Sequence, residues 1–248
     1  MCLALAAIPA QASMLLWPNV PGWTAGAPAP GQTKNQSFTA VTPNDVIVSI
    51  NNNGTNLTGA IWTAGYPAIN NTLLTGGLSG TNALQLSVAS QSSTTSYVEV
   101  TVTFANPVIN LSFQLWDVDA SSQFADTISH IQGVAVAGGT VAADSITSAV
   151  SGFNTITGSG LSTVVTGTSS ASNTTNQGTI DITFSQQITQ FSFRYSNSDS
   201  TLGSQGIGLG PLTFTVVPES ADAISAALVP MAAVLLRCVR RPKRAKAA

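Results

Sequence analysis

Charge is what this sequence has least of. Asp, Glu, Lys and Arg make up 7% of its 248 residues, against roughly 25% in an ordinary soluble domain. Basic residues are scarcer still away from the C-terminus, because six of the eight Lys and Arg fall within the last twelve positions. Between residues 13 and 218 only Lys34 and Arg194 oppose eight acids (Asp45, Glu99, Asp117, Asp119, Asp126, Asp144, Asp181 and Asp199), a net charge of −6. A body of that sign has no electrostatic route to nucleic acid, which needs clustered cations. Cysteine is confined to Cys2 and Cys238, one at each extremity. No disulfide can staple the body, so its stability has to come from a packed core. His130 is the single histidine. This excludes a Cys/His dyad and a multi-histidine zinc centre. The sequence also has no G-x-S-x-G elbow to support a serine triad.

Gly, Ser, Thr and Asn take the place of charge, alongside β-branched and aromatic residues that can fill a core. No segment of the body repeats at 3.6 residues. Alternating runs separated by Gly, Asn, Ser and Pro clusters predict an all-β domain instead. The clearest strands are expected over 46–50, 83–89, 97–104, 108–119, 133–137, 179–184, 188–196 and 212–217, with polar loops at 51–56 and 169–177. The expected architecture is an antiparallel β-sandwich or jelly roll over residues 30–217, preceded by an N-terminal segment, 13–29.

One stretch echoes another. YVEVTVTFANPVINLSFQLWDVDAS at 97–121 resembles GTIDITFSQQITQFSFRYSNSDS at 178–200 with an offset of 80, matching Thr103 with Thr183, Phe104 with Phe184, Phe113 with Phe193 and Asp119 with Asp199. Each copy reads as a β-hairpin turning at Ala105-Asn106-Pro107 or Ser185-Gln186-Gln187. Residues i and i+2 of a strand share a face. Leu111, Phe113 and Leu115 therefore make an inward row that runs on to Asp117 and Asp119, and Phe191, Phe193 and Tyr195 one that runs on to Asn197 and Asp199. An unpaired carboxylate is too costly to desolvate in a core. The strands are expected to leave the core near Trp116 and Ser196, and the acids to lie at an open rim.

Asp117, Asp119, Asp126, Asn197 and Asp199 offer the oxygen donors that Ca²⁺ prefers. The competing reading is turn chemistry, with Asp and Asn side chains capping N–H groups where a strand ends. Carboxylates on same-face neighbours lie ~6.6 Å apart, near the short end of the inverting glycosidase range, but nothing in the sequence marks a raised pKa. Trp62 and Tyr66, in GAIWTAGYP, form a candidate aromatic platform for a sugar ring, with Trp17 and Trp23 as a second; core packing competes for all four. Gly206-Ile207-Gly208-Leu209-Gly210 precedes a strand and not a helix, so it reads as a close-packed stretch of chain and not a phosphate cradle. No cofactor is required by any of these motifs.

The two ends read as address tags. MCLALAAIPAQA places a short apolar run, Leu3–Ile8, before the small-x-small triplet Ala10-Gln11-Ala12; without the usual basic start, it reads as a truncated signal peptide over 1–12. At the other end Val217-Pro218-Glu219-Ser220 is followed by an apolar span, 221–236, and a basic cluster containing Arg237, Arg240, Arg241, Lys243 and Arg244. The span is expected to form a transmembrane helix, with its basic cluster kept cytoplasmic by the positive-inside rule. This three-part order resembles the PEP-CTERM sorting signal of exported bacterial proteins, with Ser220 standing where that motif has its second proline. The resemblance covers 217–248. It implies transient residence in the inner membrane, processing by an exosortase-type enzyme, and delivery of the body to the cell surface or extracellular polysaccharide matrix. The expected function is that of a non-catalytic structural or adhesive surface protein. A carbohydrate-binding module and a glycan-acting hydrolase are the alternatives.

Overall fold

Tyr97–Trp116 is one strand of 20 residues, and it links the two layers of this protein. The computed structural model describes residues 12–18, 23–54, 67–88, 95–199 and 203–217. In chain order the long strand is β6. Before it come β1 (Ala12–Leu15), β2 (Thr33–Phe38), β3 (Val46–Asn53), β4 (Ala68–Asn70) and β5 (Ala83–Val88). After it come β7 (Asp126–Ala135), β8 (Thr140–Ala142), β9 (Ser145–Ser148), β10 (Asn154–Thr157), β11 (Val164–Gly167), β12 (Ile180–Phe184), β13 (Ile188–Asn197), β14 (Gln205–Leu209) and β15 (Leu212–Val216). Every strand pairing is antiparallel. Among the described residues the helical content is one 3₁₀ turn, Gly160–Ser162, and no helix is long and apolar enough to cross a membrane. The all-β antiparallel expectation holds.

The first half of β6 lies between β3 and β13, with Val102 opposite both Val48 and Phe191. This layer extends to β2 beyond β3, and to β7, β8, β11 and β10 beyond β13. The second half lies between β12 and the β14–β15 stretch, with Phe113 opposite Ile182 and Ser112 opposite Thr213. That layer continues through β9, β1, β5 and β4. Alternation explains how one strand serves both. Val98, Val100, Val102 and Phe104 are buried before the bend, and Leu111, Phe113 and Leu115 after it. The inward parity changes from even to odd around Asn110, which has a φ of 55°; asparagine tolerates this left-handed region better than most residues. The layers meet through aromatic rings. Phe113 stacks on Phe191 at 4.4 Å, and Phe104 lies 5.0 Å from Phe214.

Neither expected hairpin forms. Ala105-Asn106-Pro107 lies within β6, bulged out of the β13 register between the Val108–Ile188 and Thr103–Gln190 pairs. Ser185-Gln186-Gln187 carries the chain from β12 in one layer to β13 in the other. In both copies the short link joins layers instead of folding a strand back on itself. The local pattern of two apolar runs and a polar break is the same in either case, so only partner choice distinguishes them. The echo is nonetheless structural. Thr183 pairs with Ser112, and Ser192 with Thr101. The first half of each copy thus lies beside the second half of the other.

Other expectations shift for local reasons. Asn51–Asn53 continue β3 instead of opening a loop, because buried Asn52 donates its amide to the Pro28 carbonyl at 2.9 Å. Residues 169–177 are a loop as expected. The glycine-rich stretch is close-packed as expected: a Cβ on Gly208 would come within 2.8 Å of the Leu74 carbonyl. Segment 13–29 contributes to the core. β1 pairs with β15, and Trp17, 3% exposed, donates to the Gly210 carbonyl at 2.9 Å. Trp62, Tyr66, most of the signal segment, and the tail from Pro218 onward with its expected transmembrane helix lie outside the described residues.

Candidate functional site: an acidic pocket and an outer groove

β6 ends at Trp116, but the chain does not leave the core there: Val118 is fully buried within it. Trp116 closes the strand with its indole against Gly76 and Gly210, where added Cβ atoms would come within 2.4 and 2.7 Å of the ring. Asp117 then turns into the left-handed region, with a φ of 64°. Main-chain bonds tie the next residues on both sides. Val118 donates to Gly178 at 2.9 Å, Ala120 donates to Ser169 at 3.1 Å, and Asp119 accepts from the Asp126 N–H at 2.9 Å. Gly167 permits the approach, since a Cβ there would lie 1.9 Å from the Asp119 carbonyl oxygen.

The expected open rim is not what forms. Asp117 is 7% exposed, Asp119 5% and Asp126 0%. The 169–178 loop and the start of β14 close over the acids, an arrangement that strand parity alone does not reveal. Asp126 sits inward at the head of β7 and opposite Asn197. Its Oδ1 accepts from the Tyr195 hydroxyl at 2.8 Å and its Oδ2 from the Asp119 N–H at 3.2 Å. Asp119 Oδ2 accepts from the Ala171 N–H at 2.6 Å. Asn197 and Asp199 behave differently from the first pair. Asn197 Oδ1 accepts from the Ala125 and Asp199 N–H groups at 2.9 and 3.0 Å, which is turn chemistry. Asp199 is half-buried and does not line the cavity.

The cavity has a volume of about 220 Å³, and Asp117, Asp119, Asn173, Ser204 and Gln205 are among its walls. Two buried oxygens of these walls lack a hydrogen-bond partner, Asp117 Oδ1 and Gln205 Oε1. The Gln205 nitrogen is turned to the Ser196 carbonyl at 3.4 Å. Burial, reinforced by the neighbouring Asp119 charge, pushes the Asp117 carboxyl up to about 8. Burial also raises Asp119, and raises Asp126 well above the usual carboxylate range with further repulsion from Asp119. Gln205 escapes sequence reasoning because its place on an inward row depends on pairing with Val88. The elevated Asp117 matches what a glycosidase acid needs. Its Oδ1 is buried without a partner.

A second concavity opens on the outer face of the other layer. It is a groove of about 420 Å³. Cross-strand register builds its floor. Met14, Thr213, Ser112 and Thr183 form a row across β1, β15, β6 and β12, with Gln114 and Asp181 in the next row. The Gln114 amide donates to Asp181 Oδ1 at 2.7 Å and accepts from the Trp116 indole at 2.9 Å, which fixes its orientation. Met14, Leu16 and Leu78 line the groove and are 50%, 60% and 46% exposed. Its lining contains one charged group, Asp181, and no cation.

No protein-family model matches the sequence, and no curated protein matches it. Among solved structures, the chain is similar to a family 11 carbohydrate-binding module from Clostridium thermocellum, solved in complex with a beta-1,3-1,4-mixed-linked tetrasaccharide. The identity is 12% over 84% of this chain and 98% of that one, with a TM-score of 0.28. A likeness that distant says nothing of ligand or chemistry.

Proposed function

We propose that this chain is a non-catalytic domain of a bacterial surface or extracellular matrix, and that it adheres to neutral polysaccharide through the groove on its outer sheet face. The observation that carries the reading is the groove's lining. A sugar chain presents apolar ring faces and hydroxyl edges, and the groove presents exposed Met14 and Leu16 beside the hydrogen-bonding side chains of Ser112, Gln114, Thr183 and Thr213. Its volume falls in the range of small-ligand sites, roughly 300–1,000 Å³. The acidic body and the lone Asp181 disfavour polyanions, so the partner is an uncharged polymer. The PEP-CTERM-like tail supports delivery to the surface, with the inner membrane and an exosortase-type enzyme as transient partners. The mechanism is positional: the domain is exported, released or anchored, and holds the matrix by contact.

Affinity electrophoresis of the full chain through gels containing neutral glucans, mannans or galactans tests this. Migration is expected to slow in at least one neutral polymer and to remain unchanged in alginate. Thr213→Arg, at an exposed floor position, is expected to restore free migration by filling the groove. Free migration in every neutral gel would refute the reading, as would retardation that survives the arginine.

A further inference from the structure

We propose that the cavity at the end of β6 is a structural calcium site, with Asp117, Asp119 and the side-chain oxygen of Gln205 as its protein ligands. The proposal does not depend on what the groove binds. It starts from two oxygens that the fold buries and leaves unpaired. Asp117 Oδ1 and Gln205 Oε1 belong to residues 7% and 1% exposed that line the same cavity. Buried polar atoms are almost always satisfied, and these two are both acceptors. A donor or a cation is what the site lacks. Gln205 has its amide nitrogen committed to Ser196, leaving the oxygen as its free end.

The charge distribution selects a cation over a neutral donor. Asp117, Asp119 and Asp126 repel one another across this end of the sheet, and no Lys or Arg lines the cavity. Asp126 does not line it, being held by Tyr195 and the Asp119 N–H, but its carboxyl lies behind the ligands. Among the described residues no three His, Cys, Asp or Glu side chains are gathered tightly enough to hold an ion unaided. The donor set is therefore mixed, two carboxylates and an amide, completed by main-chain oxygens or water. Calcium accepts six to eight such oxygens in flexible geometry, whereas magnesium demands a near-ideal octahedron. The ion would pin two segments together, the chain just after β6 and the start of β14, and Asp119 would tie in the 171 loop through the Ala171 N–H.

Thermal melting of the full chain in chelator, in about 10 mM Mg²⁺ and in Ca²⁺ raised to about 10 mM tests the site; extracellular calcium modules bind at roughly 10⁻⁴–10⁻³ M. A ligand bound only by the folded state raises the midpoint with concentration. Calcium is expected to do so, magnesium to do little. Asp117→Asn and Gln205→Leu are each expected to lose most of the calcium response, while Asp144→Asn, at an exposed carboxylate elsewhere, keeps it. Asp117→Asn is expected to melt no lower than the parent in chelator, because it replaces a carboxyl whose charged form burial already disfavours. Terbium luminescence, sensitised by nearby aromatic rings and quenched by added calcium, provides a second readout on the unsubstituted chain. A parent midpoint unmoved by calcium, an equal response to magnesium, or an undiminished calcium response in Gln205→Leu would each overturn the assignment.

Discussion

At the scale of single residues the fold treats its few acids in opposite ways. Asp45 sits in the turn before β3, where Oδ1 accepts from the Ala40 N–H at 2.7 Å and Oδ2 from the Val41 and Thr42 N–H groups at 2.8 Å. Burial works to raise its pKa, but the N–H donors together outweigh burial and hold the carboxyl below the usual value. Asp117 is buried without such donors and moves up. Asp45→Ala strips three N–H groups of their acceptor and is expected to cost about 2 kcal/mol at pH 7, within the range for hydrogen bonds to a charged group. The sign of the pH dependence follows from the lowered value. The folded carboxyl ionises below the unfolded one, so its stabilisation is full above roughly pH 4–5 and fades as pH falls through the folded value. Urea midpoints of parent and variant are thus expected to differ at pH 7 and to converge toward pH 3. A constant gap across that range would show that the carboxylate's charge is not what stabilises the turn.

At the scale of elements, β6 makes the fold depend on contacts between layers. Phe113 on its second half stacks on Phe191 of β13, which pairs with its first half. Phe191→Ala removes a fully buried ring and is expected to cost 3–5 kcal/mol, the usual penalty for a core Phe. Thr101→Ala, on the half-buried outer side of β6, is expected to change stability by ~0.5 kcal/mol or less. A denaturant midpoint that moves equally for both would mean the stack contributes little. The inward rows Leu111–Leu115 and Phe191–Tyr195 were legible in the sequence because alternation is a property of one strand. So was the end of the strand at Trp116, though the acids beyond it are buried and not at an open rim. The partners of those rows were not legible. A polar triplet between two apolar runs marks a hairpin turn and a link between layers equally well, and pairing is settled by residues some 80 positions away. The cavity was half legible for the same reason: the acids could be named from parity, but its lid and Gln205 come from other strands.

At the scale of the whole molecule, the sheet frames the proposed delivery route. β1 starts at Ala12, the expected last residue of the signal, and pairs with β15, whose final residue precedes the Val217-Pro218-Glu219-Ser220 motif. Ala12 lies opposite Thr215, so the two ends of the body are neighbours in one layer. Cuts at these two places would leave Ser13–Leu15 paired with β15, and would spare the Val217 N–H bond to the Pro107 carbonyl at 2.9 Å if the second cut fell beyond Val217. The proposed tags therefore flank the folded unit without interrupting it, as removable segments must. Intact mass of the protein recovered separately from bacterial membranes and from the medium checks the route. The medium is expected to hold a species starting at Ser13 and ending within 217–220, and the membrane a species still carrying the basic cluster from Arg237. Tail-bearing protein found only in the membrane would mean that Ser220, in place of the motif's second proline, blocks cleavage, leaving a C-terminally anchored surface domain. Protein retaining residues 1–12 in the cytoplasm would remove export altogether, and with it the matrix as the setting in which the groove meets polysaccharide.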